Sequence, residues 1–390
     1  MSAVKIKNNL YWIGVKNPEL KIFDIIMETK KGTTYNSYIL EDEKVAVFDT
    51  VKNGYTDEFI NNIKEVIGDR KVDYVIVHHT ELDHSGSLKK LLGVYKDATV
   101  VSSISACSFL KEITNSDFKW QEAKGELNLG KHTLSFISAP NLHWPDTIFT
   151  YIKDMNTLFT CDFLGAHYCP EGLVTDESKE NYDDEVKYYF DCIMGPFKKF
   201  VSLGLDKIKD LTFDTVLTSH GPIHREKIDF YMKKYREWAK LPDIKNEVNI
   251  FYVSAYSNTE HMANFIADKL TEKGIPAFTY DINSMKMEDI ISKIETSKGF
   301  MIGSPTINQD AVKPAWDVLT LINPIVNRGK AAAAFGSYGW SGEGVPMLTE
   351  RLKSLKLKVL PEGLKFKFVP SEEEYKKAEE FVKNFEELLK

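Results

Sequence analysis

The apolar run Tyr74-Val75-Ile76-Val77 leads straight into His78-His79-Thr80-Glu81-Leu82-Asp83-His84, and no other stretch limits the fold as tightly. A short apolar run bounded by polar residues reads as a buried strand, so the loop leaving it stands on a rigid base. If the chain stays extended, residues 79, 81 and 83 point to one side, and His84 adds an imidazole from the next position. Imidazole and carboxylate are both ligands for first-row metals. Burying such charges unpaired is costly, and core packing gives no reason to gather four of them. A metal site explains the cluster; a solvated polar loop is the bland alternative.

At 390 residues the chain is long enough for two or three domains. With 43% hydrophobic and 27% charged residues it has a globular composition, and its net charge of -7 argues against a nucleic-acid partner. No apolar run approaches the ~18–20 residues of a membrane span. Residues 1–9 lack the apolar segment of a signal peptide, so no membrane partner and a cytoplasmic location are expected. Cys107, Cys161, Cys169 and Cys192 form no C-x-x-C pair and read as reduced thiols.

The first part of the chain mixes short β-rich runs (10–13, 37–40, 45–48, 99–101) with helical spacing at 54–68, 87–92, 103–112 and 225–240. The mixture points to sheets flanked by helices. Three further strands end in residues of ligand type. The run 132–137 alternates and His143 lies beyond it; 157–160 leads to Asp162; 215–218 runs into His220. All the candidates then fall along one edge of a sheet system, where a rigid scaffold can hold a site. Glu81, Asp83 and Asp162 together supply hard oxygen ligands suited to iron or manganese, whereas zinc sites draw mainly on cysteine and histidine. The reading is a dinuclear centre that a carboxylate such as Asp162 can bridge, with non-haem iron favoured and zinc still tolerated by ligand softness. His78, His132 and Cys161 read as structural residues and His224 as a surface one. His167 is left open between a supporting position around the metals and none.

Leu241 to Asn246 combines a proline with polar neighbours and marks a domain boundary, giving domains 1–246 and 247–390. Beyond it, strands at 248–253, 277–280, 299–303, 330–335, 357–360 and 364–369 are set among helices at 260–273, 287–294, 312–321, 345–353 and 372–389. Ser371 with Glu374 reads as a capping box for the last helix. Such alternation gives a doubly wound parallel sheet. Three loops at strand C-terminal ends carry a second signal, near the switch point of such sheets. Ser254, Tyr256, Ser257, Asn258 and Thr259 offer hydroxyls, an amide and a helix N-terminus to a phosphate. Ser304, Pro305, Thr306 and Asn308 follow the third strand. Ser337, Tyr338, Gly339, Trp340, Ser341 and Gly342 follow the fourth, with two rings to border a flat ligand. No G-x-G-x-x-G occurs, so direct NAD binding is not indicated.

H-x-E-x-D-H at 79–84, followed by His143, Asp162 and His220, resembles the metallo-β-lactamase-like domain of the flavodiiron proteins. Hydrolases of that fold carry H-x-H-x-D-H, and Glu81 stands in place of the second histidine. The three loops of the second part resemble the FMN-binding loops of flavodoxins. Domain order and length extend the resemblance over essentially the whole chain, in the two-domain form without a rubredoxin extension. It implies an α/β protein with an N-terminal αββα sandwich followed by a flavodoxin-like doubly wound sheet. It implies one iron on His79, Glu81 and His143, another on Asp83, His84 and His220, with Asp162 between them, and FMN on the three loops.

The implied activity passes electrons from a reduced donor, such as rubredoxin or a reduced deazaflavin, through FMN to the two irons. There dioxygen is reduced to water, nitric oxide to nitrous oxide, or both. No rubredoxin-like cysteine pattern occurs, so the donor is expected to be a separate molecule. The resemblance also implies a head-to-tail homodimer, or a tetramer, with Trp340 where one chain's flavin meets the other's irons. Two other classes compete. One is a zinc hydrolase with an accessory flavodoxin-like module, against which Glu81 and the three loops weigh. The other is an electron-carrying or gas-sensing flavoprotein whose metals are structural.

Overall fold

Neighbouring residues of the strand Val45–Phe48 belong to different cores. Ala46 and Phe48 join the cluster that holds Leu134, Phe159 and Leu217, whereas Val45 and Val47 join that of Phe59, Ile63 and Leu91. A strand apolar on both faces needs cover on both sides. A second sheet supplies it within, and helices supply it without. The computed structural model describes residues 3–390 in two units, one ending at Leu241 and the other Pro242–Lys390.

The first unit is an αββα sandwich. Its seven-stranded sheet runs in the order Val4–Lys7, Leu10–Trp12, Tyr38–Glu41, Val45–Phe48, Tyr74–Ile76, Thr99–Ser102, Trp120–Glu122. Its five-stranded sheet runs Glu126–Asn128, Thr133–Ser138, Ile148–Ile152, Thr157–Cys161, Thr215–Thr218. The helices Thr56–Ile67 and Ile104–Thr114 send Phe59, Ile63 and Leu110 into the outer core, and Lys198–Ile208 and Ile228–Trp238 add Val201, Leu205 and Tyr235.

Three features depart from the sequence expectation. The extended run through residues 79–83 is absent: the strand stops at Ile76, and Leu82–Ser85 is a single helical turn. The helix expected from 225 begins at Ile228, because the buried Asp176 carboxylate takes the backbone N–H groups of Arg225, Glu226 and Lys227 into a turn ahead of it. A small hairpin, Ile22–Phe23 with Met27–Glu28, lies between the patterned runs 10–13 and 37–40 and was not anticipated.

In the second unit the strand order is Ala277–Asp281, Lys245–Tyr252, Ser297–Gly303, Ala331–Tyr338, Lys358–Val359, with Leu364–Lys367 also paired to Ala331–Tyr338. All pairings in this sheet are parallel, the doubly wound arrangement of flavodoxins. The helices Asn258–Glu272 and Glu372–Leu389 cover one face, and Met287–Thr296, Lys313–Leu321 and Gly344–Ser354 the other. The Ser371–Glu374 capping box is present. At Gly336 a Cβ would lie 1.8 Å from the Ser304 carbonyl oxygen, so only glycine lets these two loop-bearing strands approach so closely. After the third strand, Asn308 and Gln309 both take positive φ and turn the short hairpin Thr306–Ile307/Asp310–Ala311. Among the described residues no helix is long and apolar enough to cross a membrane.

Candidate metal centre and flavin site

The ligand-type residues of the first unit leave the C-terminal ends of four strands and converge. His79, Glu81, Asp83 and His84 follow Tyr74–Ile76 of one sheet; His143, Asp162 and His220 follow three strands of the other. His79, Glu81, His143 and Asp162 bring ligand atoms within 4.8 Å of one another, as do Asp83, His84 and His220. In the first set, Glu81 Oε2 lies 3.2 Å from both His79 Nε2 and His143 Nε2. In the second, Asp83 lies 3.3 Å from His84 Nε2 and 3.0 Å from His220 Nε2. Asp162 stands between: Oδ2 faces His79 and His143 at 3.7 and 3.5 Å, while Oδ1 faces His84 and His220 at 3.2 and 3.5 Å. The helical turn Leu82–Ser85, not strand alternation, carries Asp83 and His84 to the second set.

Both oxygens of Asp83, both oxygens of Asp162 and both nitrogens of His84 are buried and make no well-aligned hydrogen bond. Buried polar atoms are normally satisfied, and cations between these carboxylates and imidazoles would satisfy them. The donor set of oxygens and imidazole nitrogens fits two such ions.

Residues behind the ligands fix their orientation. His79 Nδ1–H donates to Asp146 Oδ1 at 3.2 Å, and Asp146 Oδ2 accepts from the Thr80 N–H at 2.8 Å and from Thr80 Oγ1 at 2.7 Å. His220 Nδ1–H donates to the Thr34 carbonyl at 2.7 Å. Each imidazole is thereby held with Nε2 toward the centre, the arrangement that raises ligand basicity. Sequence reasoning missed Asp146, whose only signal was a carboxylate three residues beyond His143. Asp146→Ala is expected to weaken metal binding by about 10–100-fold without altering flavin content, measured by competition with a chromophoric chelator.

The electrostatics describe a site in which protons stand where metal would. Burial alone would lower the His143 imidazole, but the Asp162 and Glu81 carboxylates hold it up at about 9. His79 and His84 are raised against burial by their carboxylate neighbours in the same way. Asp162 and Glu81 resist burial and stay low because imidazoles face them. On the hairpin at 22–28, partial desolvation and then the Glu81 and Asp83 carboxylates push Asp24 up to about 6.

The remaining histidines separate cleanly. His78 is packed between the sheets, bonded to Asp49 Oδ2 at 2.7 Å and Thr150 Oγ1 at 2.8 Å. His132 pairs with Asp154. His167 packs against the second set: its ring centroid is 5.0 Å from that of His220, and Thr33 Oγ1 lies 3.0 Å from its Nδ1. His224, expected at the surface, is buried and donates from Nε2 to the Leu164 carbonyl at 2.8 Å. The Cys161 thiol comes within 4.8 Å of His84 and Asp162 ligand atoms, but burial pushes its pKa well up and Ser219 Oγ donates to it, so it stays a neutral core thiol.

In the second unit a cavity of about 220 Å³ is lined by Tyr256, Asn258, Pro305, Thr306, Asn308, Ser337, Tyr338, Gly339, Trp340 and Ser341. Ala255, Ile307, Gln309 and Phe368 also line it and were not anticipated. Five of the sequence candidates are not among the residues that line it. Ser304 is buried, with Oγ accepting from the Val312 N–H. Thr259 is buried against Ser337 Oγ at 3.0 Å. Ser254 Oγ accepts from the Glu260 N–H, Ser257 turns the chain into the helix at positive φ, and Gly342 packs under the Tyr338 ring. The fifteen-residue helix Asn258–Glu272 presents its N-terminus beside this cavity, which suits an anionic group. A phosphate beside an apolar slot fits FMN.

The family described as ODP family beta lactamase matches residues 33–221, and the flavodoxin family matches residues 250–381. The chain is 42% identical to the flavo-diiron protein FprA2 of Clostridium acetobutylicum, over 99% of each chain. It is 33% identical to a nitric oxide reductase of Moorella thermoacetica, over 97% of this chain and 96% of that one. Among solved structures it is similar to the rubredoxin oxygen:oxidoreductase of Desulfovibrio gigas, with a TM-score of 0.65, 27% identity, and coverage of 100% and 98%. With a β-lactamase-like unit bearing two facing ligand sets, a flavodoxin unit following it in the sequence, and relatives matched from end to end, the chain belongs to the flavodiiron protein family.

Proposed function

We propose that the protein is an oxidoreductase that takes electrons from a reduced donor at FMN and uses them at two irons to reduce dioxygen, nitric oxide or both. The ligands assigned are His79, Glu81 and His143 for one ion, and Asp83, His84 and His220 for the other, with Asp162 shared. The observation that carries this reading is Asp162, which turns one carboxylate oxygen to each histidine set while neither oxygen is hydrogen-bonded. When bound, FMN accepts and passes on electrons, and paired irons allow a reduction that needs more than one of them.

The chain's own part is placement. Asp146 and the Thr34 carbonyl fix which nitrogen of His79 and His220 faces the centre. The rings of Phe23, Tyr35 and Tyr189 surround His220 and keep water from its outer side. Reduction of dioxygen to two waters takes up four electrons and four protons; coupling two nitric oxide molecules to nitrous oxide and water takes up two of each. The Asp24 carboxyl lies beside Glu81, and in the metal-free protein partial desolvation and then the Glu81 and Asp83 carboxylates raise it to about 6. Rubredoxin or a reduced deazaflavin is the proposed donor. A head-to-tail homodimer, which would bring the flavin of one chain to the irons of another, is the proposed assembly.

The test is composition followed by turnover. Anaerobically purified protein is expected to hold about two irons and about one FMN per chain and to consume dioxygen or nitric oxide when a reduced rubredoxin is supplied. Zinc that persists after iron-replete expression, with no gas consumed, would move the reading to a hydrolase.

A further inference from the structure

The strand Leu364–Lys367 runs parallel to Ala331–Tyr338, with Ser337 opposite Phe366 and Tyr338 opposite Lys367. Alternation sends Leu364 and Phe366 into the core, and one more extended residue would send Phe368 after them. Instead Phe368 takes φ 51, a left-handed conformation that bulky side chains rarely adopt. Its N–H still donates to the Tyr338 carbonyl at 2.9 Å. The turn swings the ring out of the core and leaves it 61% exposed. There it lies over Gly339, where a Cβ would come within 3.1 Å of ring carbon Cε1. It lines the same cavity as Trp340 and Tyr256, themselves 82% and 88% exposed. The Tyr338 ring, which also lines the cavity, packs against Gly342. Backbone strain kept where the chain's own packing does not reward it is characteristic of ligand sites.

We propose that Phe368 is a ring-contact residue of the flavin site, its side chain covering the apolar edge of the isoalloxazine beside the Gly339 backbone. The inference rests on the FMN reading of this cavity and adds a fourth segment to the three loops. Contact between an aromatic side chain and a flat heteroaromatic ring contributes dispersion and quadrupole attraction. Phe368 therefore acts on the ring end of the cofactor and is indifferent to its phosphate.

The experiment is FMN titration of the flavin-free, full-length protein, read by flavin fluorescence, for wild type, Phe368→Gly and Phe368→Tyr. Glycine accepts a positive φ without strain, so Phe368→Gly should leave the thermal midpoint of the flavin-free protein unchanged or raised. The same variant should bind FMN at least about tenfold more weakly. Phe368→Tyr keeps the ring and should stay within about twofold of wild type. If Phe368→Gly binds FMN as tightly as wild type, the inference is overturned. It is equally overturned if weaker binding comes with a lowered midpoint, because the ring would then be structural. Wild-type protein that takes up no FMN would overturn the flavin reading and this inference with it.

Discussion

Asp162→Asn should strip the metal centre and leave the flavin in place. The wild-type carboxylate meets four imidazoles, two on each oxygen. An amide of the same shape has one oxygen and one N–H donor group, so one of the two histidine sets would face hydrogens instead of a ligand. Metal content is expected to fall from about two ions to one or fewer per chain, and gas turnover by about two orders of magnitude. FMN content should not change, since the flavin cavity belongs to the other unit. Metal analysis, flavin absorbance and gas consumption on a single preparation decide the matter. A variant with full metal occupancy and full activity would remove Asp162 from its bridging position.

Chelation should produce the second large effect, and its size should depend on pH. An ion bound with a thousandfold excess over its dissociation constant stabilises the folded state by about 4 kcal/mol. The thermal transition of the metal-bearing unit should therefore drop sharply when metal is removed, and that of the flavodoxin unit should not. In the metal-free protein His143 is held at about 9, above its usual value of 6.5. A raised imidazole contributes stability that is complete below about 6.5 and is lost as pH climbs through 9. His79 and His84 are shifted the same way. Glu81 and Asp162, both lowered, act oppositely: their contribution is present above the usual carboxylate range and lost as acid protonates them. The metal-free unit should thus be most stable near pH 5–6 and weaken by on the order of 1–3 kcal/mol toward pH 9. The metal-loaded unit, with these imidazoles deprotonated and ligated, should be flat across that range, and metal uptake at neutral pH should release protons. Thermal unfolding at several pH values, with and without chelator, is the measurement. A metal-free protein that gains stability from pH 6.5 to 9 would contradict the assignment.

Much of this site is readable in one dimension because each ligand type appears where an apolar strand stops. A charge or imidazole directly after a run such as 157–160 or 215–218 has no packing reason to be there. What cannot be read is how the chain bends after the strand. Asp83 and His84 reach the second ligand set only because Leu82–Ser85 closes into a helical turn, whereas alternation predicted an extended run. Asp146 escaped notice because a residue that orients a ligand need not share the ligand's spacing. His224 was misplaced because the buried Asp176 carboxylate gathers the backbone at 225–227 and tucks the preceding loop inward. In the flavin unit, parallel strands and their loops followed from periodicity. The inward or outward aim of Ser304 and Thr259 did not, and neither did the outward turn of Phe368, which local backbone conformation decides.

His78 sits one residue before the first ligand and ties Asp49, at the end of one sheet's strand, to Thr150 in the other sheet. The gap between the sheets is thereby set by contacts the polypeptide makes with itself. Since ligands arrive from both sheets, the centre exists only after that gap has closed. Both ligand sets therefore depend on a packing contact, that of His78 with Asp49 and Thr150, which no metal ion makes.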